Sequence, residues 1–252
     1  MLLDLCLLSC DLNPLYYDFY PLIRKYWKDI VGIDCILILI AEDVPYTLRE
    51  ERDSIILFPP LPDIPTAFQA QCIRLLYPCI LTEYKGIIIS DMDMIPLQKN
   101  FFVDTIKDLS DDTFCIYRDV ISEYKQYPMC YCAGSSETWN SLFKIRIIHD
   151  LRERITSWYC KNDYQISSAN SEMWAQDQIQ LFNYVNNNNT TTKVVKYSDK
   201  DTNFERLDRV DIDFISKNKE EIKTQIESGK YSDFHLPRPY SAYKTLLEDI
   251  LT

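Results

Sequence analysis

The chain has 252 residues, 46% hydrophobic and 26% charged, enough for one large domain with a sizeable core. A formal net charge of −11 argues against general binding to nucleic acid or to an anionic membrane surface, since both need positive potential. Nine cysteines include no CxxC pair, and only two histidines occur. The sequence therefore offers no zinc or disulfide framework and cannot supply a three-histidine metal site, and reduced thiols in a cytosolic protein are expected.

The first segment, "MLLDLCLLSCDLN", carries Asp4 and no basic region, so it reads as a core strand over about 3–10, not as a signal peptide. A helix is expected from Pro14 to about Asp29, with proline in its first turn. "IDCILILIAED" reads as a second buried strand. Its apolar run is far shorter than the roughly 20 residues a membrane helix needs, and no spanning segment is expected anywhere. "SIILFPPLPDIP" is a short strand broken by prolines, and "TAFQAQCIRLLYPCIL" has helical spacing with Thr66 as a candidate cap. "GIIISDMDMIPL" is a strand, "NFFVDTIKDL" is helical, and "TFCIYRDV" and "YPMCYCAG" are extended. Farther on come a helix around 172–185, an exposed asparagine-rich loop and a charged stretch at 199–230.

Alternating strands and helices predict an α/β sandwich with a mostly parallel sheet, which binds ligands beyond the carboxyl ends of its strands. One domain is expected over 1–252, with a ligand-binding half at 1–110 and a second half at 111–252. Only four glycines occur, at positions 32, 86, 134 and 229, so neither a P-loop nor a dinucleotide GxGxxG loop is possible. Asp91 and Asp93 end the strand "GIIIS". Two apart on an extended chain, they are expected to present their oxygens to one point, where mutual repulsion calls for a cation between them. Hard divalent ions such as Mn²⁺ and Mg²⁺ suit such oxygens and are commonly shared with substrate phosphates.

A DxD pair after a buried strand occurs in haloacid-dehalogenase-like phosphatases and in nucleotide-sugar glycosyltransferases of the A-type fold. The phosphatase motif reads DxDx[TV] near the start of its fold. Here Met94 takes the fourth position, about ninety residues precede the pair, and Asp111-Asp112 is a possible but poorly placed pair for the later acids. Four landmarks resemble the second class, most nearly its glycogenin-like retaining family. "QCIRLLYPCILTEYKGIIISDMD" is similar to the basic helix and DxD strand. "YCAG" (131–134) resembles a short N-[AS]-G segment beside the sugar. "WAQDQIQLFNY" (174–184) resembles a D-Q helix, and "FHLPRPY" (234–240) a late histidine segment. Cys132 stands where the family has asparagine, and the last segment lacks the family's glycine and Lys-Pro-Trp ending.

The resemblance implies a GT-A-like α/β/α sandwich and a metal-dependent glycosyltransferase, a hexosyl- or pentosyltransferase. Its donor would be a nucleoside-diphosphate sugar, with UDP favoured, and its acceptor a glycan, glycoconjugate or protein. It implies Mn²⁺ or Mg²⁺ on Asp91, Asp93 and His235. Donor contacts would come from Arg74, Asp91, Gly134 and Arg238, catalysis from Asp177 and Gln178, and the outcome would be retention. The segment around His235 would be a loop folding back over the donor. Trp139 and Trp174 are candidates for stacking on acceptor sugar or for the core, and His149 reads as an ordinary helix residue. The open alternatives are the phosphatase and a binding protein that keeps the fold without catalysis.

Overall fold

The computed structural model describes residues 1–160, 175–187 and 191–251. Its first strand, β1 (Leu5–Asp11), leads through a turn that contains Pro14 into α1 (Tyr20–Tyr26), then a π turn (Trp27–Val31). The expected helix from Pro14 therefore starts later, and the proline in its first turn is Pro21. Next come β2 (Asp34–Ile40), β3 (Ile55–Phe58) and α2 (Thr66–Leu76). Thr66 does not cap α2; its hydroxyl donates to Asp11 Oδ2 at 2.8 Å and ties the helix to the end of β1.

After β4 (Ile87–Ile89) and β5 (Met94–Pro96) follow α3 (Lys99–Val103), β6 (Thr113–Ile116), β7 (Cys132–Gly134), α4 (Ser136–Phe143) and α5 (Ile148–Cys160). The later part holds α6 (Gln176–Val185), β8 (Lys193–Lys196), α7 (Asp199–Thr202), β9 (Arg206–Asp208), α8 (Ile212–Lys217) and α9 (Lys219–Glu227). It ends with β10 (Asp233–His235) and α10 (Tyr240–Leu251). Among the described residues no helix is long and apolar enough to cross a membrane.

A seven-stranded sheet runs in the order β3-β2-β1-β4-β7-β6-β8. Only β7 runs against the others, antiparallel to both β4 and β6. The mostly parallel α/β sheet expected from the sequence is therefore present. Both faces are covered, which is why the strands read as continuous apolar runs. Cys6, Leu8 and Cys10 of β1 join one core cluster, while Leu5 and Leu7 join the other. The α2 helix adds Phe68, Cys72, Ile73, Leu75 and Leu76 to the second. Trp139 belongs to that core, with no exposed surface and its Nε1–H donating to the Ile87 carbonyl at 3.3 Å. It is no stacking platform. Trp174 lies outside the described residues. His149 is exposed on α5, 3.3 Å from Glu153.

A second sheet of three strands, β5-β10-β9, attaches beside the first. Its register sets His235 opposite Met94 and Asp208 opposite His235. Beneath it, the fully buried Asp233 accepts from Tyr131 Oη at 2.8 Å and from Arg206 Nη2 at 2.5 Å. The buried charge is thus paired and hydrogen-bonded, as burial demands.

Gly86 sets the approach of β4 to the chain start. The Asp4 carboxylate accepts from the amides of Lys85 and Gly86 at 2.9 and 3.0 Å. A Cβ at Gly86 would lie 2.0 Å from the Leu2 carbonyl oxygen, a backbone atom that cannot move aside alone. Gly86→Ala is therefore expected to cost about 2–3 kcal/mol or more in urea unfolding, as overpacking against a fixed neighbour does. A variant with unchanged stability would show that the strand start can shift freely.

Candidate functional site

A cleft of about 320 Å³ opens beyond the carboxyl ends of β1 and β4. Ser9, Cys10 and Asp11 from the end of β1 form its floor. One face of α2, Ala67, Ala70, Gln71 and Arg74, forms a wall by helical spacing. Ser9 Oγ donates to the Ala70 carbonyl at 2.6 Å and fixes this helix against the strand. The opposite side brings Asp91, Asp93, Met94, Arg209, His235 and Arg238.

The two aspartates do not share an extended strand. β4 ends at Ile89, and Asp91 to Asp93 form a turn before β5. Their carboxylates go to different partners. Asp91 Oδ1 accepts from Arg74 Nη1, while Asp93 Oδ2 lies 2.7 Å from Arg209 Nη1. Arg238 Nε and His235 Nε2 each lie 3.4 Å from the same Asp93 oxygen. Burial pushes the Asp93 carboxyl up, but His235, Arg209 and Arg238 together outweigh it and hold it below the usual carboxylate value.

Arg74 also donates through Nη2 to Asp177 Oδ2 at 2.6 Å. Burial alone would lower its affinity for a proton; Asp91 and Asp177 reverse this and keep it firmly charged. Asp177 has 1% of its surface exposed and does not line the cleft. Burial raises its carboxyl, and Arg74 offsets only part of that. Asp177 therefore stands behind Arg74, through which it reaches the cleft, and Gln178, the next residue, lines it directly. The expectation that Gly134 meets the donor is corrected. β7 is antiparallel to β4, so Gly134 pairs with Ile87 at the end away from the cleft. The residues of this segment that reach the cleft are Pro128, Met129 and Cys130.

His235 sits on a strand, not on a loop. Pairing with β5 and an amide bond from Leu236 to the Asp93 carbonyl at 2.7 Å set it beside the DxD turn. Its Nδ1 lies 3.3 Å from Asp208 Oδ2, while Nε2 faces Asp93. A neutral imidazole has one N–H, so it can donate to only one of these two carboxylates. A carboxylate on the outer nitrogen is also how metal-binding imidazoles are oriented. Two neighbouring groups, Arg74 with Asp91 and Asp177, and Arg209 and Arg238 with Asp93, His235 and Asp208, together hold four carboxylates against three guanidiniums. That excess of negative charge and this donor set suit a hard divalent ion. Asp91, turned to Arg74, is not yet part of such a set. Among the described residues no three His, Cys, Asp or Glu side chains are grouped to hold a metal.

Arg209 and Asp208 carry no signal in the sequence, where they belong to an ordinary charged stretch. Asp11 and Tyr16, also in the cleft lining, likewise lack one; Tyr16 accepts a hydrogen bond from Arg238 Nη1. Asp111 and Asp112 precede β6 at the opposite end of the sheet, in a separate groove with Ser135 and Thr138. The second acid pair of a phosphatase is thus not supplied by these residues.

No family model matches the chain, and no curated protein sequence does. Solved structures are similar to it in fold. The apo glycosyltransferase GlyE of Streptococcus pneumoniae TIGR4 aligns with a TM-score of 0.53 at 12% identity, over 100% of this chain and 61% of that one. The bifunctional glycosyltransferase WbbM, in apo form, aligns with a TM-score of 0.51 at 11% identity, over 98% of this chain and 49% of that one. The galactosyltransferase LgtC, in complex with donor and acceptor sugar analogues, gives 0.48 at 13% identity, over 98% and 95%. The chain therefore has the A-type glycosyltransferase fold, and it spans about three fifths of GlyE and half of WbbM.

Arg74→Met leaves Asp177 buried without its counter-charge. It is expected to cost about 3 kcal/mol or more in urea unfolding. Adding Asp177→Asn removes the stranded charge, so the double variant should be more stable than Arg74→Met alone. A double variant that is less stable would show that Asp177 is neutralised by another group.

Proposed function

We propose that the chain transfers a sugar from a nucleoside-diphosphate donor to a glycan, glycoconjugate or protein acceptor. UDP is the first donor nucleotide to test, and retention of configuration is the outcome that the D-Q resemblance favours. One observation carries this reading. A cleft beyond the carboxyl ends of the sheet gathers the DxD turn, His235, Arg238 and Gln178 in a fold otherwise without a glycine phosphate loop. GlyE and WbbM have this fold and are glycosyltransferases, which makes sugar transfer the first activity to test.

Breaking the bond from sugar to diphosphate builds negative charge on the leaving phosphate and positive charge on the ring. Fixed guanidiniums aimed at that phosphate stabilise it without reorganising. Arg238, in the cleft lining, would be such a group, and Arg74 holds Asp91 and Asp177 in place. Gln178 lines the cleft, and on this reading its amide would orient a sugar hydroxyl or face the ring's developing charge. Mn²⁺ or Mg²⁺ on Asp93 and His235, with Asp91 as third ligand, would supply Lewis-acid stabilisation of the leaving diphosphate.

The test is a panel of nucleotide sugars with Mn²⁺ or Mg²⁺, read by sugar transferred or released. Asp93→Asn is expected to lose about 10²-fold or more in rate, the usual scale for removing one group that stabilises transition-state charge. Excess chelator should abolish turnover, and added Mn²⁺ should restore it. Phosphate release from small phosphomonoesters without sugar transfer would replace this reading with a phosphatase. Donor binding with no turnover on any sugar would leave a binding protein.

A further inference from the structure

Arg209 was not expected in the site, yet its guanidinium reaches the same Asp93 oxygen as Arg238. The placement follows from register. β9 runs parallel to β10 and sets Asp208 opposite His235. The Asp208 side chain then accepts from the Val210 amide at 3.1 Å and turns the chain, which swings Arg209 over the cleft.

One guanidinium would be enough to neutralise Asp93, and His235 is a further neighbour. Among the described residues, the bond from Nη1 to Asp93 is the only hydrogen bond that the Arg209 side chain makes. A guanidinium carries five N–H donors in a planar fork, so most of Arg209's donors are uncommitted. The next residue, Val210, is 82% exposed, so the turn stands at the open edge of the cleft. Arg209 itself keeps 29% of its side chain accessible while lining the cavity. Two guanidiniums that converge on one point, with donors to spare, form a site for an anion bearing oxygens on adjacent phosphorus atoms.

We infer that Arg209 is a diphosphate-binding residue, paired with Arg238 across Asp93. The two select a nucleoside diphosphate over a monophosphate. This rests on the donor reading given above and adds to it the group that reads the second phosphate. Asp93 holds both arginines at the cleft, and an entering diphosphate takes up their free N–H groups.

The test is calorimetric titration of UDP, GDP, ADP and CDP, and of the four monophosphates, in buffer with Mn²⁺. The proteins are the wild type, Arg209→Gln and Arg209→Lys. Arg209→Gln should lose at least about tenfold in affinity for the diphosphate that binds, as loss of one charge-assisted hydrogen bond predicts. Its affinity for the monophosphate should change much less, so the preference for diphosphate shrinks. Arg209→Lys, which keeps the charge but not the fork, should fall between the two. An arginine that only holds Asp93 in place would weaken both ligands alike, and that result overturns the inference. So does unchanged diphosphate affinity. A wild type that binds none of the four diphosphates overturns the donor reading itself, a different outcome from a binding wild type with an indifferent Arg209. Thermal midpoints show whether each variant folds; if Arg209→Gln does not, Arg209→Lys carries the same comparison.

Discussion

The Arg74 guanidinium, shared between Asp91 and Asp177, is the interaction on which the site depends. It joins α2, the turn after β4 and the first turn of α6, three elements far apart in sequence. A buried guanidinium is costly unless its charge is met, and here two carboxylates meet it through Nη1 and Nη2, while Nε stays buried without a partner. Each carboxylate is in turn tolerable only because of the arginine. Asp177 is so buried that its carboxyl stays raised even with Arg74 beside it. None of the three can leave without stranding another, so the helix wall, the DxD turn and the D-Q helix keep one relative placement. Ser9, bonded to the Ala70 carbonyl on the same helix, fixes that helix against the end of β1.

The small sheet of β5, β10 and β9 does for the other half of the site what Arg74 does for the first. Three-residue strands contribute little by themselves. Their hold comes from the buried Asp233, which binds Tyr131 from the main sheet and Arg206 from β9. That anchor places His235 beside the DxD turn through backbone pairing, and so the imidazole is delivered by a rigid element. Sites built on strands are more exact than sites built on loops.

These two anchors explain what the sequence made legible. The strand before Asp91 could be read because three isoleucines follow a glycine, and α2 because its apolar residues recur with helical spacing. Arg74, Asp91, Asp93, Gln178, His235 and Arg238 could be named, and the structure brings all six to one cleft. Direction was harder to read than membership. A period of two assumes extended chain, but Asp91 to Asp93 form a turn, so the carboxylates diverge to separate arginines instead of meeting. Gly134 was misplaced because no local signal tells an antiparallel β7 from a parallel one, and the reversal moves the glycine to the far end of the sheet. Asp208 and Arg209 were illegible for a different reason. In "ERLDRVD" they look like any solvated charges, and only the register of β9 on β10 turns them toward His235 and Asp93.

Charge balance ties the site to the composition of the whole chain. A protein of net charge −11 does not attract a diphosphate by its overall field. The local cluster does not do so by simple excess either, because four carboxylates outnumber three guanidiniums. What it offers is separation. Arg74 carries two of the acids on the inner side, while Arg209 and Arg238 stand together at the outer side with donors to spare. A diphosphate entering alone would meet favourable donors on one side and uncompensated carboxylates on the other. On the proposed reading, Arg209 and Arg238 would take the phosphate oxygens, and a divalent cation held by Asp93 and His235 would enter with the diphosphate and add the positive charge that the cluster lacks. Each aspartate of the DxD turn has its own arginine, which offsets the repulsion between them. On the proposed reading that repulsion is drawn on only when a cation is present to offset it.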